Sequence, residues 1–440
     1  MRGPGLPARL ARATRTAPGR LRLAGALVAV VTVAFGALTA WQVESRAQAA
    51  QRVVSYSQPL SQAAADINRA LADADTTAAT GFLLAGAEPK AVRDRYEQDL
   101  ATASRLIAEA AARTTASSPA QGWLAALNQQ VPVYAGLVEN ARANNRQGYP
   151  LGGAYLRYAS DQMRTVLLPA AAQLTAAENR ELADDYAAAR AVPWAAYGLG
   201  VLALAVLGWV QVVLFRRTNR VFNVGLLGAT AAVLAGVLWL TVAGLGARGA
   251  LEESERKGAA PLRALNAARV DVLTARLAEN LHYVARGSSA QYADLWAKTT
   301  GRLSGTGPRG EPTGSLADAE RLAPADARAA ITEAGQQYRH WSEQHAAASR
   351  LESVDGDYQG AVDATVTANA ADAAKTADAS FNATDQRLAQ AAGAELKQFE
   401  RAAGGTDGDL RTAAVAVAVL ALVAAVAAAR GLGRRLAEYR

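Results

Sequence analysis

The chain contains no cysteine, and only 6% of its residues are aromatic. The missing cysteine excludes disulfides, thiolate metal ligands and a cysteine nucleophile. Hydrophobic residues nevertheless make up 51% of the 440 positions, and alanine is the most frequent of them. Because alanine is the best helix former, this composition predicts a mostly helical chain.

Charged residues are missing from four apolar stretches of about 18 to 27 residues. About 20 apolar residues cross a bilayer as a helix. The first stretch can also be read as a cleaved secretory signal, but no A-x-A site directly follows it, which favours a retained signal anchor. The sequence therefore predicts four transmembrane helices, at residues 23–41, 192–215, 221–247 and 412–429.

Arginine is concentrated in three short segments beside these stretches. Residues 1–22 carry six arginines and no acid, residues 216–220 carry three arginines, and residues 430–440 carry four arginines against one glutamate. The positive-inside rule makes these segments a cytoplasmic leader, turn and tail, with residues 42–191 and 248–411 outside. The net charge of +7 then reflects topology and attraction to membrane lipid, and we expect no nucleic-acid partner.

The two outside segments repeat one pattern of four amphipathic helices. Their glycine-containing turns match in kind, "LLAGAE" with "VARGSS" and "RQGYPLGGA" with "VDGDYQGAV". We expect an all-α integral membrane protein with two extracytoplasmic up-down-up-down four-helix bundles in tandem. The first helix of each bundle would lead away from the bilayer, so all four turns would lie at the ends farthest from the membrane.

This position makes the turns predicted docking tips for a partner protein. The candidate docking residues are Gly86, Glu88, Lys90, Asn145, Arg146, Tyr149, Arg286, Ser288, Asp355, Asp357 and Tyr358. The cytoplasmic segments are too short for a kinase, a cyclase or a methyl-acceptor rod, so a separate cytoplasmic protein must read any output. The candidate output contacts are Arg216, Arg217, Arg220, Arg434 and Arg435.

The sequence contains no catalytic, cofactor-binding or metal-binding constellation. Two of the three histidines lie in "HWSEQH", five positions apart, and not at the i,i+4 spacing of a helical zinc pair. We expect the histidines to be partly buried or surface polar groups on helices. The predicted spans hold no Asp, Glu, Lys or Arg, which argues against a transporter. We therefore expect no enzyme, no cofactor and no metal.

Polar residues on the first helix of each outside segment allow two interpretations. They can line a small-ligand pocket between helices, or they can form a solvated face with i,i+4 pairs. The residues concerned are Asn68, Arg69, Asp73 and Asp75 in the first segment and Arg269, Asp271, Glu279 and Asn280 in the second.

The stretch "ATGFLLAGAEPKAVRDRYEQDLATASRLIAEA" resembles the helical-bundle sensor domains of bacterial chemoreceptors and sensor kinases. In those proteins a "GYLLTG" phrase closes the first helix and a helix with a Tyr-Glu pair follows. The matching residues here are Gly81, Phe82, Leu83, Leu84, Gly86 and Tyr96. The whole layout over residues 22–433, together with phrases such as "ANNRQGYPLGGAYLR" and "ARGSSAQYADL", is similar to the actinobacterial GlnX family.

This resemblance implies a non-catalytic membrane transducer. Members of the GlnX family relay amino-acid availability, sensed by the extracytoplasmic solute-binding lipoprotein GlnH, to the soluble Ser/Thr kinase PknG. The resemblance supplies no site residues, and the docking residues above rest on topology alone. Two alternatives stay open: a direct small-molecule sensor of the chemoreceptor type, and a structural scaffold of the envelope or division machinery. The sequence also leaves open whether the chain forms a homodimer.

Overall fold

The structure is a computed structural model that describes residues 17–84, 88–218, 223–286, 289–369, 371–403 and 406–437. Helices occupy most of these residues, and the only described strands are two residues long, β1 (Gly305–Thr306) and β2 (Pro312–Thr313). The prediction of an all-α fold is confirmed. The chain divides into two compact units. The first takes its described residues from Met1–Val53, Asp184–Glu252 and Ala403–Arg440, and the second combines Val54–Ala183 with Glu253–Ala402.

The first unit contains the apolar helices. These are α1 (Ala17–Arg52), α7 (Trp194–Thr218), α8 (Val224–Ser254) and α15 (Thr406–Ala437). Among the described residues, three continuous helical stretches each contain a segment that is long and apolar enough to cross a membrane, judged by length and composition. These stretches are Gly19–Leu83, Leu151–Arg216 and Val224–Ala285. The apolar part of α15, Val415–Gly431, is shorter. Three candidate spans are therefore present, and the fourth stays a prediction.

Small residues allow α1 and α15 to pack closely within this unit. A Cβ atom added to Gly36 would overlap Ala421 Cβ. Phe35 and Val417 are buried beside this contact, in a cluster that also contains Val233 of α8. Close approach at small residues is a common way for helices to associate in a bilayer, where burial from water supplies little drive.

We expect the substitution Gly36→Leu to destabilise the first unit by about 1–3 kcal/mol, because a larger side chain must push α1 and α15 apart. The measurement is thermal unfolding of the full-length protein in detergent, followed by tryptophan fluorescence. Gly208→Leu on α7 is the matched control, because nothing lies within 4 Å of the added Cβ there. Equal midpoints for the two variants would contradict the close packing of α1 and α15.

The second unit gathers both outside segments. The first segment supplies α2 (Gln58–Leu83), α3 (Lys90–Arg113), α4 (Ala120–Arg146), α5 (Leu151–Gln162) and α6 (Leu168–Arg190). The second segment supplies α9 (Ala260–Ala285), α10 (Ala290–Leu303), α11 (Ser315–Leu322), α12 (Ala325–Ser353), α13 (Tyr358–Thr365) and α14 (Ala377–Ala403). Short π-helical segments of five residues occur at Val53–Ser57, Met163–Leu167 and Glu255–Ala259.

Helices α2 and α9 form a parallel central pair in this unit. Thr76 Oγ1 donates a hydrogen bond to the Leu273 carbonyl oxygen (3.0 Å), and Asn280 Nδ2 donates to Thr80 Oγ1 (2.8 Å). Every residue from Ala70 to Gly81 is buried, so α2 is covered on all sides. Both outside segments thus share one compact unit, and their division into two tandem bundles stays a prediction.

Each segment also has its own hydrophobic core. The first core is built mainly from α2 to α6 and includes Ile67, Tyr134 and Leu156, with Leu281 of α9 inserted from the second segment. The second core is built mainly from α9 to α14 around Trp341, with Ala72 of α2 inserted from the first segment. The exchange of side chains across the central pair joins the two cores.

The last long helix of the second segment differs from the sequence prediction. A continuous helix is expected there up to about residue 403, but α13 ends at Thr365 and α14 begins at Ala377. Short polar side chains bind the backbone in between: the Asn369 N–H donates to Thr367 Oγ1, and the Ala371 N–H donates to Asn369 Oδ1. Such local bonds compete with helical ones, and the surrounding alanines hide this signal.

Candidate functional site

The predicted docking turns come together at one end of the second unit. Asn145 Nδ2 donates a hydrogen bond to the Phe82 carbonyl oxygen (3.0 Å), which joins the first two turns. Tyr358 Oη donates to the Tyr283 carbonyl oxygen (2.8 Å), which joins the other two. Leu84 packs in one hydrophobic cluster with Tyr283, so the two pairs of turns also contact each other. We call this region the turn surface.

Glycine permits the closest approach within the turn surface. A Cβ atom on Gly152 would lie 2.9 Å from the Asn145 backbone nitrogen and 3.0 Å from the Ala141 carbonyl oxygen. The neighbouring Gly153 faces Phe82 and Val284, each 3.8 Å from its added Cβ. The "YPLGGA" turn of the first segment therefore packs against the ends of both α2 and α9.

Several of the predicted docking residues form ion pairs or adopt a defined backbone conformation. Glu88 Oε1 accepts a hydrogen bond from Arg142 Nη2 (2.9 Å). Lys90 pairs with Asp94 one helical turn further along α3. Arg286 adopts a left-handed backbone conformation (φ 36°). These side chains belong to the folded turns and not to free loops.

Aromatic and capping contacts hold the second-segment part of the turn surface. The Arg286 guanidinium lies 4.6 Å from the centre of the Tyr358 ring. Asp357 caps the start of α13, since its Oδ1 accepts a hydrogen bond from the Gly360 N–H (2.8 Å). Gly86 and Ser288, which are also predicted docking residues, lie outside the described residues.

The exposed part of the turn surface mixes apolar and charged side chains. Tyr149 is 57% exposed and Val354 is 77% exposed. Arg146, Asp355 and Asp357 are exposed beside them. Exposed large apolar groups with a charged rim are typical of a surface that contacts another protein.

Only part of the predicted output surface is described. Arg216 is exposed near the end of α7. Arg217 lies on α7, and Arg434 and Arg435 lie on α15. For these three residues the structure describes the backbone only. Arg220 lies outside the described residues. The proposed role of these arginines therefore stays a prediction.

A buried ion cluster connects the two segments in the middle of the second unit. Asp73 of α2 pairs with Arg95 of α3 (Oδ1 to Nη2, 2.8 Å). The same guanidinium reaches Asp385 (3.4 Å) and donates from Nη1 to Asn382 Oδ1 (2.9 Å) on α14. Asp385 also pairs with Arg269 of α9 (3.1 Å). The cluster thus joins four helices, two from each segment.

The cluster perturbs the pKa values of its members. Burial disfavours the charged form of Arg95, but the carboxylates of Asp73 and Asp385 outweigh burial and raise its pKa. Burial, followed by the nearby charge of Asp73, raises the pKa of Asp99 to about 8. The two carboxylates therefore favour the charged form of Arg95, while the raised pKa of Asp99 favours its protonated form near neutral pH.

A second buried network lies in the core of the second segment. Arg276 and Glu279 of α9 are fully buried and pair at 2.6 Å. Trp341 Nε1 donates a hydrogen bond to Glu279 Oε2 (2.8 Å), and His345 Nδ1 lies 3.0 Å from Glu279 Oε1. Although burial would raise the pKa of Glu279, Arg276 and these neighbours hold it below its usual value. Arg276 also pairs with Asp378 at the start of α14 (2.9 Å).

The core of the first segment encloses one carboxyl group. Asp75 Oδ1 accepts hydrogen bonds from Ser160 Oγ (2.8 Å) and Tyr134 Oη (3.0 Å). Its Oδ2 has no hydrogen-bond partner within the described chain. Burial raises the pKa of Asp75 to about 6, although the two hydroxyl donors oppose the shift.

Burial excludes the solvated-face interpretation for five of the eight polar residues singled out on α2 and α9. Asp73, Asp75 and Arg269 are at most 9% exposed. Glu279 and Asn280 are fully buried. The solvated-face interpretation is therefore wrong for these five residues. Arg95 and Asp385 were missed, because in the sequence they look like ordinary surface charges on amphipathic helices.

The histidines take the roles expected for them. His282 Nε2 lies 2.7 Å from Glu352 Oε2, and both side chains are partly buried. His345 is also partly buried and stacks on Trp296 at 3.7 Å between ring centres. His340 is exposed on α12. Within the described residues, no three His, Asp or Glu side chains are grouped as they would be around a metal ion.

A comparison with protein families finds a match within the first segment. Residues 49–187 match the actinobacterial sensor domain family. The matched range contains the first-segment turns, Asp75 and the Asp73–Arg95 half of the ion cluster. No curated protein and no solved structure matches the chain.

The sensor-domain match connects the geometry to a role in sensing. It covers α2 to α5 completely and most of α6, so the ends of α2 and α4 that form half of the turn surface lie within the matched range. The second segment contributes the other half and completes the ion cluster. Buried charged groups of the two segments are therefore in direct contact.

Proposed function

We propose that the chain is a non-catalytic transmembrane signal transducer for an extracytoplasmic nutrient, in particular amino acids. A solute-binding lipoprotein docks on the turn surface, and a cytoplasmic Ser/Thr kinase reads the output, as in the GlnX family that the chain resembles. The observation that carries this proposal is the match of residues 49–187 to an actinobacterial sensor domain.

The turn surface supports docking by a partner protein. It combines the exposed side chains of Tyr149 and Val354 with charged neighbours from both segments. Because the Leu84 cluster joins the turns of the two segments, one partner can contact both at once. A partner that binds one arrangement of the turns better than another biases the unit by its differential affinity.

The membrane topology of this proposal has four spans, with both termini and the short turn around Arg216 in the cytoplasm. The three apolar helical stretches that are long enough to cross a bilayer support it. The arginine-rich segments beside them support the orientation, since Lys and Arg collect on the cytoplasmic side. On this topology the arginines contact anionic lipid and the kinase.

Site-specific photocrosslinking tests the docking step. We expect a photoreactive amino acid at Tyr149 or at Val354 of the full-length membrane protein to capture a solute-binding lipoprotein, identified by mass spectrometry. A probe at Glu109 is the matched control: this residue is also exposed but lies near the other end of α3, where no turn-surface residue is found.

Two outcomes would contradict the proposal. Equal capture of the lipoprotein from Glu109 and from Tyr149 would remove the turn surface as its site. Capture of division proteins alone would favour the structural scaffold. As a second readout without a crosslinker, Tyr149→Ala combined with Val354→Ala is expected to lower co-purification of the lipoprotein at least tenfold, with no change in the amount of membrane-inserted chain.

A further inference from the structure

The second unit contains a cleft of about 380 Å³ between α2, α6 and α9. It lies along the central helix pair, in the part of α2 and α9 nearest their first residues. Its lining is rich in side-chain amides and contains one arginine. The polar residues that matter here are Gln58, Asn68, Asn179, Arg263, Asn266 and Asp271.

A buried amide in the wall of the cleft lacks a hydrogen-bond partner. Gln58 is only 4% exposed, and its Oε1 accepts no hydrogen bond within the described chain. A buried polar atom without a partner is unfavourable, because it has lost its hydrogen bonds to water. Gln58 thus offers an acceptor to a donor group that enters the cleft. Ser61 and Asn179 form a bond of their own beside it (2.8 Å).

The cleft also presents a cation without a counterion. Among the described residues, no carboxylate lies within ion-pair distance of Arg263. The carboxylate in the lining, Asp271, is already held by Arg302 Nη2 (3.0 Å) and by Ser315 Oγ (2.9 Å). The free positive charge of the lining is therefore that of Arg263.

The arginines of the ion cluster and of the cleft differ in their counterions. On α9, Arg269 lies six positions beyond Arg263 and is neutralised by Asp385 of α14. In the cleft the corresponding wall is α6, which contributes Ala172, Thr175 and Asn179 and no carboxylate. Small and neutral side chains leave both the space and the charge of Arg263 open to a bound anion.

We propose that this cleft binds a small polar carboxylate directly, of the size of an amino, hydroxy or dicarboxylic acid. The carboxylate pairs with Arg263, the amides of Asn68, Asn179 and Asn266 bond its other polar groups, and Gln58 Oε1 accepts from a hydroxyl or ammonium donor. A water occupies about 30 Å³, so the cleft has room for roughly a dozen waters or one such molecule. This site goes beyond the proposed relay, because the chain binds the ligand without a partner protein.

Calorimetric titration of the purified full-length protein in nanodiscs tests the site. The probes are L-glutamate, L-aspartate, L-glutamine, L-malate and succinate, with putrescine as a cationic control. We expect saturable binding of at least one carboxylate and none of putrescine. Succinate, malate and aspartate share one carbon skeleton, so their comparison reports the effect of the hydroxyl and of the amino group, and glutamine tests whether one carboxylate is sufficient.

Three variants locate the bound molecule. Arg263→Gln is expected to weaken binding at least tenfold, and Ala176→Leu, which fills the cleft from α6, is expected to do the same without changing a charge. Arg309→Gln is the matched control, because Arg309 is exposed in the turn between β1 and β2. This variant is expected to bind the carboxylate as tightly as the parent protein does. Thermal unfolding of each variant separates lost binding from lost folding.

The proposal is overturned if no carboxylate binds at millimolar concentration, or if Arg263→Gln and Ala176→Leu both leave the affinity unchanged. Neither result bears on the turn surface, because the titration contains no lipoprotein. Conversely, a failure of lipoprotein crosslinking at Tyr149 leaves the titration unaffected. The two proposals can therefore fail separately.

Discussion

Replacing Arg276 with methionine is expected to lower the free energy of unfolding of the second unit by about 3–5 kcal/mol. Arg276 is fully buried and pairs with Glu279, which is also fully buried. Methionine fills a similar volume but leaves the carboxylate of Glu279 with Trp341 and His345 as neighbours and without its permanent cation. Leaving a buried charge unpaired lowers the free energy of unfolding far more than losing an ion pair at the surface does.

The measurement is thermal unfolding of the full-length protein in detergent, followed by the fluorescence of tryptophans that include the buried Trp341. A midpoint lower by roughly 6 °C or more is expected for a domain of this size. Arg387→Met on α14 is the matched control. Its ion pair with Glu333 is about half exposed, and exposed pairs are worth about 0–1 kcal/mol. Similar midpoints for both variants would contradict the buried role of Arg276.

Helix positions in this chain follow closely from the sequence, because glycine, proline and polar turns mark them. The second helix of the first segment is expected from about residue 89 to 113, and α3 spans Lys90–Arg113. Its neighbour α2 is expected to end near residue 85 and ends at Leu83. The break between α13 and α14 lacks such a marker, because no glycine or proline lies within it.

The central helix pair could not be predicted in the same way. Asp73 and Asp75 are two positions apart on α2 and therefore point about 200° apart around the helix. Polar residues on opposite faces normally indicate a solvated helix. In the structure, Asp73 enters the ion cluster and Asp75 enters the first core, because α9 and the neighbouring helices cover α2 on all sides. Alanine-rich faces do not show which of them will be covered.

The candidate site was predictable in its parts and not in its assembly. The four turns follow from glycine, proline and asparagine in the sequence, and the matching phrases show that they are related. That Leu84 and Tyr283 share one cluster depends on the parallel packing of α2 on α9, which sets the two segments in register. Local sequence carries no information on this register, because it is determined by contacts about 200 positions apart.

Replacing Asp75 with asparagine is expected to stabilise the second unit more at alkaline than at acid pH. Burial raises the pKa of Asp75 from 3.8 to about 6, so the folded state binds the proton more tightly than the unfolded state. The stability that the proton supplies is complete below pH 3.8 and is lost as the pH rises through 6. The full difference is about 3 kcal/mol, at about 1.4 kcal/mol for each pKa unit.

Asparagine imitates the protonated carboxyl at every pH, so the variant escapes this loss. Relative to the parent, the free energy of unfolding of the Asp75→Asn variant should rise by about 1–2 kcal/mol between pH 5 and pH 8. Thermal midpoints at the two pH values measure it. The comparison with the parent cancels the titration of Asp99 and other distant groups, which both proteins share.

Asp94→Asn is the matched control for this experiment. Asp94 is exposed on α3 and pairs with the exposed Lys90, so its difference from the parent should stay nearly constant over the same range. A difference for Asp75→Asn that stays constant, or that shrinks as the pH rises, would mean that Asp75 is solvated in the folded protein. In that case Tyr134 and Ser160 would not enclose it, and α2 would not be covered on all sides by the second unit.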